Sequence, residues 1–322
     1  MTLGELGEFG FLEQVRTWLP SGSALVGIGD DAAVVKPSYG TSLVASTDAL
    51  VEGAHFRWDW SSPADVGYKA VAVNVSDLAA MGAEPRWLLL ALCAPASTPT
   101  DRLRGVYEGL SEACTEYGAQ LIGGDVISAD RLVLSVTALG EVEGEPLRRM
   151  GAKVGDVLAV TGSLGRAAAG VNLLLSQDPK KVSPEDALAC MSAHRRPVAR
   201  VAEGAALRSA GVHAAIDVSD GLSSDLRRIT EASGVGVELE MDRVPVAPEA
   251  RRVAEARGWD LERLVLGGGE DFELLVTLPR DELRQAPVRL TEIGSVVDEG
   301  LWLLRDGAKD ALPDAGWDHF KA

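Results

Sequence analysis

The sequence has few cysteines, few aromatic residues and no long apolar run. Its three cysteines (Cys93, Cys114 and Cys190) are odd in number and far apart, and none forms a C-x-x-C pair. This pattern indicates neither a disulfide framework nor a zinc site. No apolar run approaches ~18 residues and the N-terminus is acidic, so we expect no signal peptide, no membrane span and a cytoplasmic location.

Basic residues are also in deficit. The chain has 31 lysines and arginines against 48 aspartates and glutamates, which gives a formal charge of -17. Such a charge disfavours nucleic acid or an anionic membrane surface as a partner. If the protein handles phosphates, we therefore expect metal ions rather than a lysine patch to supply the positive charge.

Several common catalytic motifs are missing. The sequence contains no G-x-x-x-x-G-K-[ST] loop, and the glycines at 162–170 and 267–269 do not fit G-x-G-x-x-G. No serine lies in G-x-S-x-G, and the four histidines, His55, His194, His213 and His319, are scattered. These absences exclude ordinary P-loop and dinucleotide folds and leave little support for nucleophilic catalysis.

The length of 322 residues and a hydrophobic content of 46% are sufficient for two globular domains. A turn-rich segment at 143–156 predicts a boundary that gives domains 1–145 and 146–322. The first half shows strand and helix patterns in alternation, with a strand at 32–35 and a turn at 123–125. The second half shows strands at 157–161, 213–218, 235–241, 272–278 and near 293–297. We therefore predict an α/β (α+β) fold with mixed sheets flanked by helices.

Single aspartates recur after apolar runs or on an apolar helix face, beside glycine, serine or threonine. They are Asp31, Asp48, Asp77, Asp125, Asp217 and Asp220. An ordinary Gly-Asp turn would explain Gly27–Asp31 alone, but not the recurrence. Several carboxylates in one dry pocket raise one another's pKa, and Mg²⁺ ions relieve this repulsion while bridging carboxylates to phosphates. The pattern predicts a magnesium-dependent phosphoryl-transfer site.

Asp77 is unusual within this set. It interrupts an apolar helix face that includes Val73 and Ala80, and it lies near the end of that helix. The helix dipole disfavours an anion there by up to ~1 kcal/mol. Either a bound cation compensates the charge, or Asp77 pairs with a lysine or arginine at the rim.

Six segments and the C-terminus together resemble the successive motifs of the thiamine-monophosphate kinase family. They are residues 27–34, 46–56, 68–83, 121–125, 215–222 and 268–274, followed by Trp317-Asp318-His319-Phe320. Relatives in the wider aminoimidazole ribonucleotide synthetase-like superfamily share the two-domain fold and an acid-rich ATP site. They do not share, together, the S-T-D…H-F, G-G-E-D-F-E-L and W-D-H-F segments.

The resemblance implies ATP-dependent phosphorylation of thiamine monophosphate to thiamine diphosphate. It also implies a homodimer whose N-terminal domains join their sheets, with active sites between the domains. The N-terminal domain would bind ATP and magnesium, and the C-terminal domain would complete the ATP and substrate site.

The resemblance also implies roles for individual residues, at the positions that match the motifs of the family. The magnesium ligands would be Asp31, Ser46, Thr47, Asp48, Asp77, Asp125, Asp217 and Asp220. The ATP contacts would be Tyr107, Gly124, Asp125, Arg149 and Ser219, and thiamine monophosphate would be held by His55, Glu270 and Trp317. Arg148 is an alternative to its neighbour Arg149, and a surface tyrosine is the alternative for Tyr107.

The implied mechanism needs no catalytic base or nucleophile. The acceptor is a phosphate monoester with a second pKa of ~6, so it is largely dianionic at neutral pH. We therefore expect direct in-line transfer without a phosphoenzyme. Two alternatives remain open: another ATP-using synthetase of the superfamily, and a non-catalytic nucleotide-binding homologue.

Overall fold

A computed structural model describes residues 1–19, 24–176, 182–318 and 320. The chain divides into two compact units. Unit 1 comprises Met1–Leu78 and Ala83–Gly144, and unit 2 comprises Ala79–Gly82 and Glu145–Ala322. None of the helices in the described ranges has the length and apolar character needed to cross a membrane. His319, part of the C-terminal motif, lies outside the described residues.

Unit 1 is built on a four-stranded mixed sheet with the order β1-β4-β2-β3. Its strands are β1 (Thr41–Val51), β2 (Glu84–Ala94), β3 (Gln120–Ser128) and β4 (Val133–Glu143). Strand β4 runs antiparallel to both β1 and β2, whereas β3 is parallel to β2. The prediction of a mixed sheet is confirmed, and β1 and β3 form its two edges.

Three helices accompany this sheet: α1 (Leu3–Trp18), α2 (Pro63–Ala80) and α3 (Thr100–Tyr117). Helix α2 begins with the capping arrangement that the sequence predicts, because Ser62 and Asp65 each accept a hydrogen bond from the other's backbone N–H at 3.1 Å. A side chain at Gly109 would place its Cβ 1.9 Å from the Ala64 carbonyl oxygen. Glycine at this position therefore allows the backbones of α2 and α3 to touch.

The two faces of the sheet differ in exposure. In β4, buried residues such as Val136 and Ala138 alternate with partly exposed ones such as Ser135 and Thr137. Ser46 pairs with Ala138 across the sheet and hydrogen-bonds to Asp77 of α2. The buried face is therefore the one that α2 covers, and the opposite face of unit 1 is open.

Two local predictions for unit 1 are wrong. Residues 32–35 form no strand, because only Val34 pairs, in an isolated bridge with Val26. Residues 123–125 are not a turn but lie inside β3. The glycines there serve close strand approach: a Cβ on Gly124, whose φ is 157°, would lie 1.9 Å from the Leu90 carbonyl oxygen.

Unit 2 contains a seven-stranded sheet with the order β11-β10-β7-β9-β5-β8-β6. Its strands are β5 (Val157–Val160), β6 (Ala214–Asp217), β7 (Gly236–Glu240), β8 (Leu274–Leu278), β9 (Thr291–Val297), β10 (Leu301–Arg305) and β11 (Ala308–Ala311). All pairs are antiparallel except β7 with β10. The five strands predicted here are confirmed, whereas the β10–β11 hairpin around Asp306 and Gly307 was missed.

The helices of unit 2 are α4 (Arg166–Ser176), α5 (Pro184–Arg195), α6 (Val201–Leu207), α7 (Leu222–Ser233), α8 (Pro248–Arg257), α9 (Leu261–Gly267) and α10 (Arg280–Leu283). One core cluster includes Ile216 of β6, Leu226 and Ile229 of α7, and Leu275 of β8. This packing fixes the end of β6 against the start of α7. The connecting residues 218–221 are thereby held at the edge of the sheet.

Candidate functional site

In unit 1, strand β1 and helix α2 bring three of the predicted residues together. Ser46 donates a hydrogen bond of 2.5 Å to Asp77 Oδ2. Two residues further along β1, the backbone N–H of Asp48 donates to Asn74 Oδ1 at 2.8 Å. Asn74 is buried in α2 and its Nδ2 donates to the Ala70 carbonyl at 2.9 Å. The sequence-predicted Ser46, Asp48 and Asp77 therefore share one side of the sheet.

The loop after β1 positions His55. Its Nδ1 accepts a hydrogen bond of 3.0 Å from the Val51 N–H, so a neutral imidazole carries its proton on Nε2. The buried Lys69 of α2 donates to the His55 carbonyl at 3.3 Å. Helix α2 therefore contacts both Ser46 and Asp48 of β1 and the loop that carries His55.

Asp125 occupies a different part of unit 1. Asp125 of β3 pairs with Ala91 of β2, and Ala91 pairs in turn with Ser135 of β4. Asp48 of β1 pairs with Val136 of β4 and therefore belongs to the adjacent row of side chains across the sheet. Adjacent rows point to opposite faces of a sheet, and three strand spacings correspond to roughly 14 Å. Asp125 therefore lies on the open face and on the edge opposite to Asp48. Thr47 shares that open face, where Thr137 donates to its hydroxyl at 3.3 Å.

Two other predicted residues of unit 1 have contrasting environments. Asp31 is exposed, and its N–H donates to Asp30 Oδ1 at 2.9 Å. Tyr107 is only 4% exposed and packs against the rings of Phe11 and Trp18, with centroids 6.0 and 5.7 Å away. Burial raises the pKa of the Tyr107 phenol. The surface alternative for Tyr107 is therefore wrong, and its contact with ATP stays a prediction.

In unit 2, the predicted Asp217, Ser219 and Asp220 surround a fourth residue, Asp225. Asp217 ends β6 and is buried. Asp225 Oδ2 accepts hydrogen bonds from the backbone N–H groups of Ser219, Asp220 and Gly221 at 3.0, 3.0 and 3.2 Å. Burial, together with the nearby charges of Asp217 and Asp220, raises the pKa of Asp225 to about 7. A buried carboxylate beside two other acids is therefore harder to ionise than an exposed one.

The segment around Glu270 winds tightly against the same turn. Glu270 and Phe272 adopt positive φ angles of 58° and 50°, which are strained for residues other than glycine. The Glu270 N–H donates to the Ser219 carbonyl at 2.7 Å, and the Phe272 N–H to the Val218 carbonyl at 2.9 Å. The strain is held by these backbone bonds, which place Glu270 directly beside Ser219.

Glu270 also lines a cavity of about 390 Å³ within unit 2. Its carboxylate lies 2.5 Å from Nδ1 of the buried His194 in α5. The neighbouring Asp271 accepts a hydrogen bond of 2.8 Å from the Gly165 N–H before helix α4. Burial raises the pKa of Asp271 from 3.8 to about 7. Acidic groups such as Asp271 and basic groups such as Arg166 and Arg200 therefore line the cavity beside Glu270, which is predicted to bind the substrate.

The remaining predicted residues of unit 2 lie near its surface. The Trp317 N–H donates to the Asp220 carbonyl at 2.9 Å, and the residue is 57% exposed. Arg149 and its alternative Arg148 are both exposed. The Arg148 carbonyl accepts from Ala215 of β6 at 2.8 Å, so either side chain emerges from a segment bonded to the strand that ends in Asp217.

The oxygen atoms of the predicted ligands suit magnesium better than a metal whose ligands all come from the protein. Within residues 1–19, 24–176, 182–318 and 320, no group of three or more His, Cys, Asp or Glu side chains has the arrangement of a metal centre. The predicted ligands are nevertheless all oxygens, and Asp225 Oδ1 is fully buried without a hydrogen-bond partner. Mg²⁺ is usually bound by one or two carboxylates with waters and substrate phosphates. The residues therefore fit magnesium bound jointly with a nucleotide.

Three residues of these networks were not assigned any role from the sequence: Asn74, His194 and Asp225. Asn74-Val75-Ser76 matches a glycosylation sequon, but Asn74 is buried within α2. For Asp225, the signal available was its place in the first turns of α7, where an acid can accept free N–H groups. His194 offered no local signal, because its partner Glu270 is 76 residues away.

Two family models match the chain. The model described as AIR synthase related protein, N-terminal domain, matches residues 29–142, and the corresponding C-terminal domain model matches residues 153–301. The fold and the acid-rich segments therefore define a two-domain AIR synthase related protein, as the resemblance implied.

More specific similarities lie within that class. A thiamine-monophosphate kinase from Mycobacterium tuberculosis is 40% identical over 99% of this chain and 93% of the relative. One from Bacillus subtilis is 39% identical over 92% of this chain and 94% of the relative. The solved structure of AaThiL complexed with AMPPCP and TMP has a TM-score of 0.81 and 35% identity, covering 99% of each chain. The chain belongs to the thiamine-monophosphate kinase family, and the kinase prediction is confirmed.

The carboxyl of Asp271 should make the stability of the protein depend on pH. Because its pKa is raised by folding, the folded protein retains a proton between about pH 4 and pH 7 that the unfolded chain releases. The free energy of unfolding should therefore fall as the pH rises through this window. In Asp271→Asn, which keeps an acceptor for the Gly165 N–H, the fall between pH 5 and pH 8 should be smaller, as measured by urea unfolding.

The exposed Asp281 provides the matched control. Asp281→Asn should show the same fall in stability between pH 5 and pH 8 as the native protein. An equally steep fall in Asp271→Asn would show that Asp271 does not retain the proton.

Proposed function

We propose that this chain transfers the γ-phosphoryl group of ATP directly to the phosphate of thiamine monophosphate, giving thiamine diphosphate. Membership of the thiamine-monophosphate kinase family supports the overall reaction. Within this chain, the structural support for the proposed reaction is the Ser219–Gly221 turn. Its carbonyls accept the N–H groups of Glu270 and Trp317, so predicted ATP and metal residues adjoin predicted thiamine residues.

The substrate contacts follow from the chemistry of the side chains. Trp317 offers a largely exposed indole that suits stacking on the aromatic rings of thiamine. The Glu270 carboxylate, held beside His194, suits a hydrogen bond with the aminopyrimidine. His55 completes the thiamine monophosphate contacts. On the ATP side we propose Tyr107, Gly124, Asp125, Arg149 and Ser219.

The magnesium ligands would be oxygens of both units. In unit 1, Ser46, Asp48 and Asp77 would bind metal on the α2 side of the sheet. Thr47 and Asp125 would bind metal on the open face, and Asp31 would do so from the segment before β1. In unit 2 the ligands would be Asp217 and Asp220. When bound, Mg²⁺ supplies positive charge to phosphate oxygens that otherwise repel each other. An acidic protein with a net charge of -17 needs such a source, since its own carboxylates repel phosphate.

The chain's own residues would act by binding and orientation rather than by proton transfer. The acceptor phosphate is mostly dianionic at neutral pH, so no side chain has to remove a proton from it. Tightly bonded segments such as the Ser219–Gly221 turn keep their groups in fixed positions, which favours in-line transfer. We therefore propose that no residue is phosphorylated during the reaction.

We also propose a homodimer formed through the N-terminal domain, residues 1–145. The open face of the unit 1 sheet supports this assembly. Leu43 on edge strand β1 is 48% exposed, and Ile127 on edge strand β3 is 47% exposed. Large apolar side chains on both edges of an open sheet face are typical of a surface covered by a second subunit.

The reaction can be tested by acid quench after mixing the protein with γ-³²P-labelled ATP, Mg²⁺ and thiamine monophosphate. The label should appear in thiamine diphosphate, and no label should stay on protein, because transfer is direct. The reaction should stop in EDTA. Asp281→Asn, which alters an exposed carboxylate outside the proposed site, should be as active as the native protein.

Other outcomes would favour the alternatives. Label trapped as an aspartyl phosphate would contradict direct transfer. ATP hydrolysis without thiamine diphosphate would favour another ATP-using synthetase. Nucleotide binding with no turnover in any of these mixtures would favour a non-catalytic homologue.

The dimer can be tested by substitution on the open sheet face. Leu43→Glu combined with Ile127→Glu should reduce the solution mass from twice that of one chain to that of one chain, since buried charges in the interface would be unpaired. Sedimentation velocity measures this mass. Leu188→Glu, at a residue of α5 that is 59% exposed, is the matched control and should stay dimeric. A native protein that sediments as a single chain would contradict the proposal.

A further inference from the structure

We propose that Asp225 is a positioning residue that holds the Ser219–Gly221 turn and, through this turn, the residues for both substrates. The identity of those substrates rests on the proposed function. The mechanical part of the inference does not, because it follows from hydrogen bonds within unit 2. Asp225 itself would contact neither ATP nor thiamine monophosphate.

One carboxylate oxygen of Asp225 organises the turn from inside. Asp225 Oδ2 accepts the backbone N–H groups of three successive residues, Ser219, Asp220 and Gly221, at 3.0 to 3.2 Å. The Asp225 side chain has no exposed surface. Backbone N–H groups that lose such an acceptor are destabilised, because no water reaches this side chain to take its place. The backbone of the turn is therefore tied to the first turns of helix α7.

Two carbonyl groups of the same turn bind the backbone of Glu270 and Trp317, the two residues proposed to contact thiamine monophosphate in unit 2. The Ser219 carbonyl accepts the Glu270 N–H at 2.7 Å, and the Asp220 carbonyl accepts the Trp317 N–H at 2.9 Å. Two of the three peptide groups that Asp225 binds, those of the Asp220 and Gly221 N–H groups, therefore carry the carbonyls that bind Glu270 and Trp317. A shift of the turn would move Ser219, Glu270 and Trp317 together.

Further contacts tie the C-terminal segment to helix α7. Ser223 donates to the Pro313 carbonyl, and Arg227 donates to the Leu312 carbonyl at 2.7 Å. These bonds hold the segment that leads to Trp317, but they do not touch the Ser219–Gly221 turn. Loss of Asp225 should therefore release the turn while leaving the C-terminal segment attached to α7.

The second carboxylate oxygen explains why an amide would be a weaker replacement. Asp225 Oδ1 makes no hydrogen bond, and Arg228 Nε lies 3.7 Å from it. Arg228 also donates to Asp220 Oδ2. In Asp225→Asn one oxygen can still accept the three N–H groups, but the charge is lost and an NH₂ group can face the guanidinium. In Asp225→Ala no acceptor remains.

The test compares Asp225→Ala, Asp225→Asn and the native protein with two measurements. Amide hydrogen exchange of the ligand-free protein should become at least tenfold faster at Ser219, Asp220, Gly221, Glu270 and Trp317 in Asp225→Ala, with a smaller increase in Asp225→Asn. Calorimetric Kd values should rise at least tenfold in Asp225→Ala for both Mg²⁺-AMPPCP and thiamine monophosphate, and by less in Asp225→Asn.

Asp156→Asn is the matched control. Asp156 is also a buried carboxylate that accepts a backbone N–H, from Lys153 at 2.9 Å, and it forms no bond to the turn. This variant should keep native exchange at the five amides and native Kd values within twofold. A similar loss in Asp156→Asn would attribute the effect to general destabilisation and overturn the proposal.

Two other results would also overturn the positioning role. One is native exchange rates and Kd values in Asp225→Ala. The other is an Asp225→Asn protein as impaired as Asp225→Ala, since charge rather than hydrogen bonding would then be responsible. If Asp225→Ala does not fold, faster exchange in Asp225→Asn supports the proposal and native exchange contradicts it. A native protein that binds no thiamine monophosphate would contradict the proposed function, while the exchange measurement would still decide the role of Asp225.

Discussion

Repulsion between carboxylates that a rigid backbone holds close together is the constraint on which the candidate site depends. In unit 2, burial raises the pKa of Asp225, and repulsion from Asp217 and Asp220 adds to this rise. The fold counters it with three N–H groups on Asp225 and with Arg228 on Asp220. In unit 1 the hydroxyl of Ser46 donates to Asp77. A divalent cation would relieve the same repulsion more fully, which is why an arrangement unfavourable for stability can serve phosphate chemistry.

The backbone around these acids is correspondingly tight. Glu270 and Phe272 are held at positive φ, and a Cβ on Gly269 would lie 2.5 Å from the Ser219 carbonyl oxygen. Strained positions of this kind persist only where surrounding contacts hold them, and they cost of order 1–3 kcal/mol each. Here the contacts are backbone hydrogen bonds to Val218 and Ser219 at the end of β6. Strain and charge repulsion thus concentrate at one edge of the unit 2 sheet.

The sequence was sufficient for the family, the mixed sheets and most elements, because these depend on local patterns and on short motifs. The capping residues of α2 and the apolar strands at 157–161 and 272–278 are examples. It was not sufficient where the same residue type serves different geometries. Gly123 and Gly124 suggested a turn, yet they allow β3 to approach β2 closely, and Asp306-Gly307 was not recognised as a hairpin turn.

The candidate site shows the same division. Single aspartates beside glycine or serine could be selected from the sequence, since their placement is unusual for a folded core. Their partners could not, because Ser46–Asp77 and His194–Glu270 are brought together by tertiary packing. Nor could the sequence show that Asp48 and Asp125 lie on opposite faces of one sheet, which follows from strand register alone. Asp225 was overlooked because its function is exerted through the backbone of other residues.

The most direct test of the magnesium assignment is a crystal structure grown with Mn²⁺, AMPPCP and thiamine monophosphate, with anomalous scattering used to locate the metal. Mn²⁺ accepts the same oxygen ligands as Mg²⁺. The account predicts anomalous peaks coordinated by carboxylates of Asp48 or Asp77 in unit 1 and of Asp217 or Asp220 in unit 2, and by phosphate oxygens. Peaks bound only to the nucleotide, with these four carboxylates uncoordinated, would contradict it.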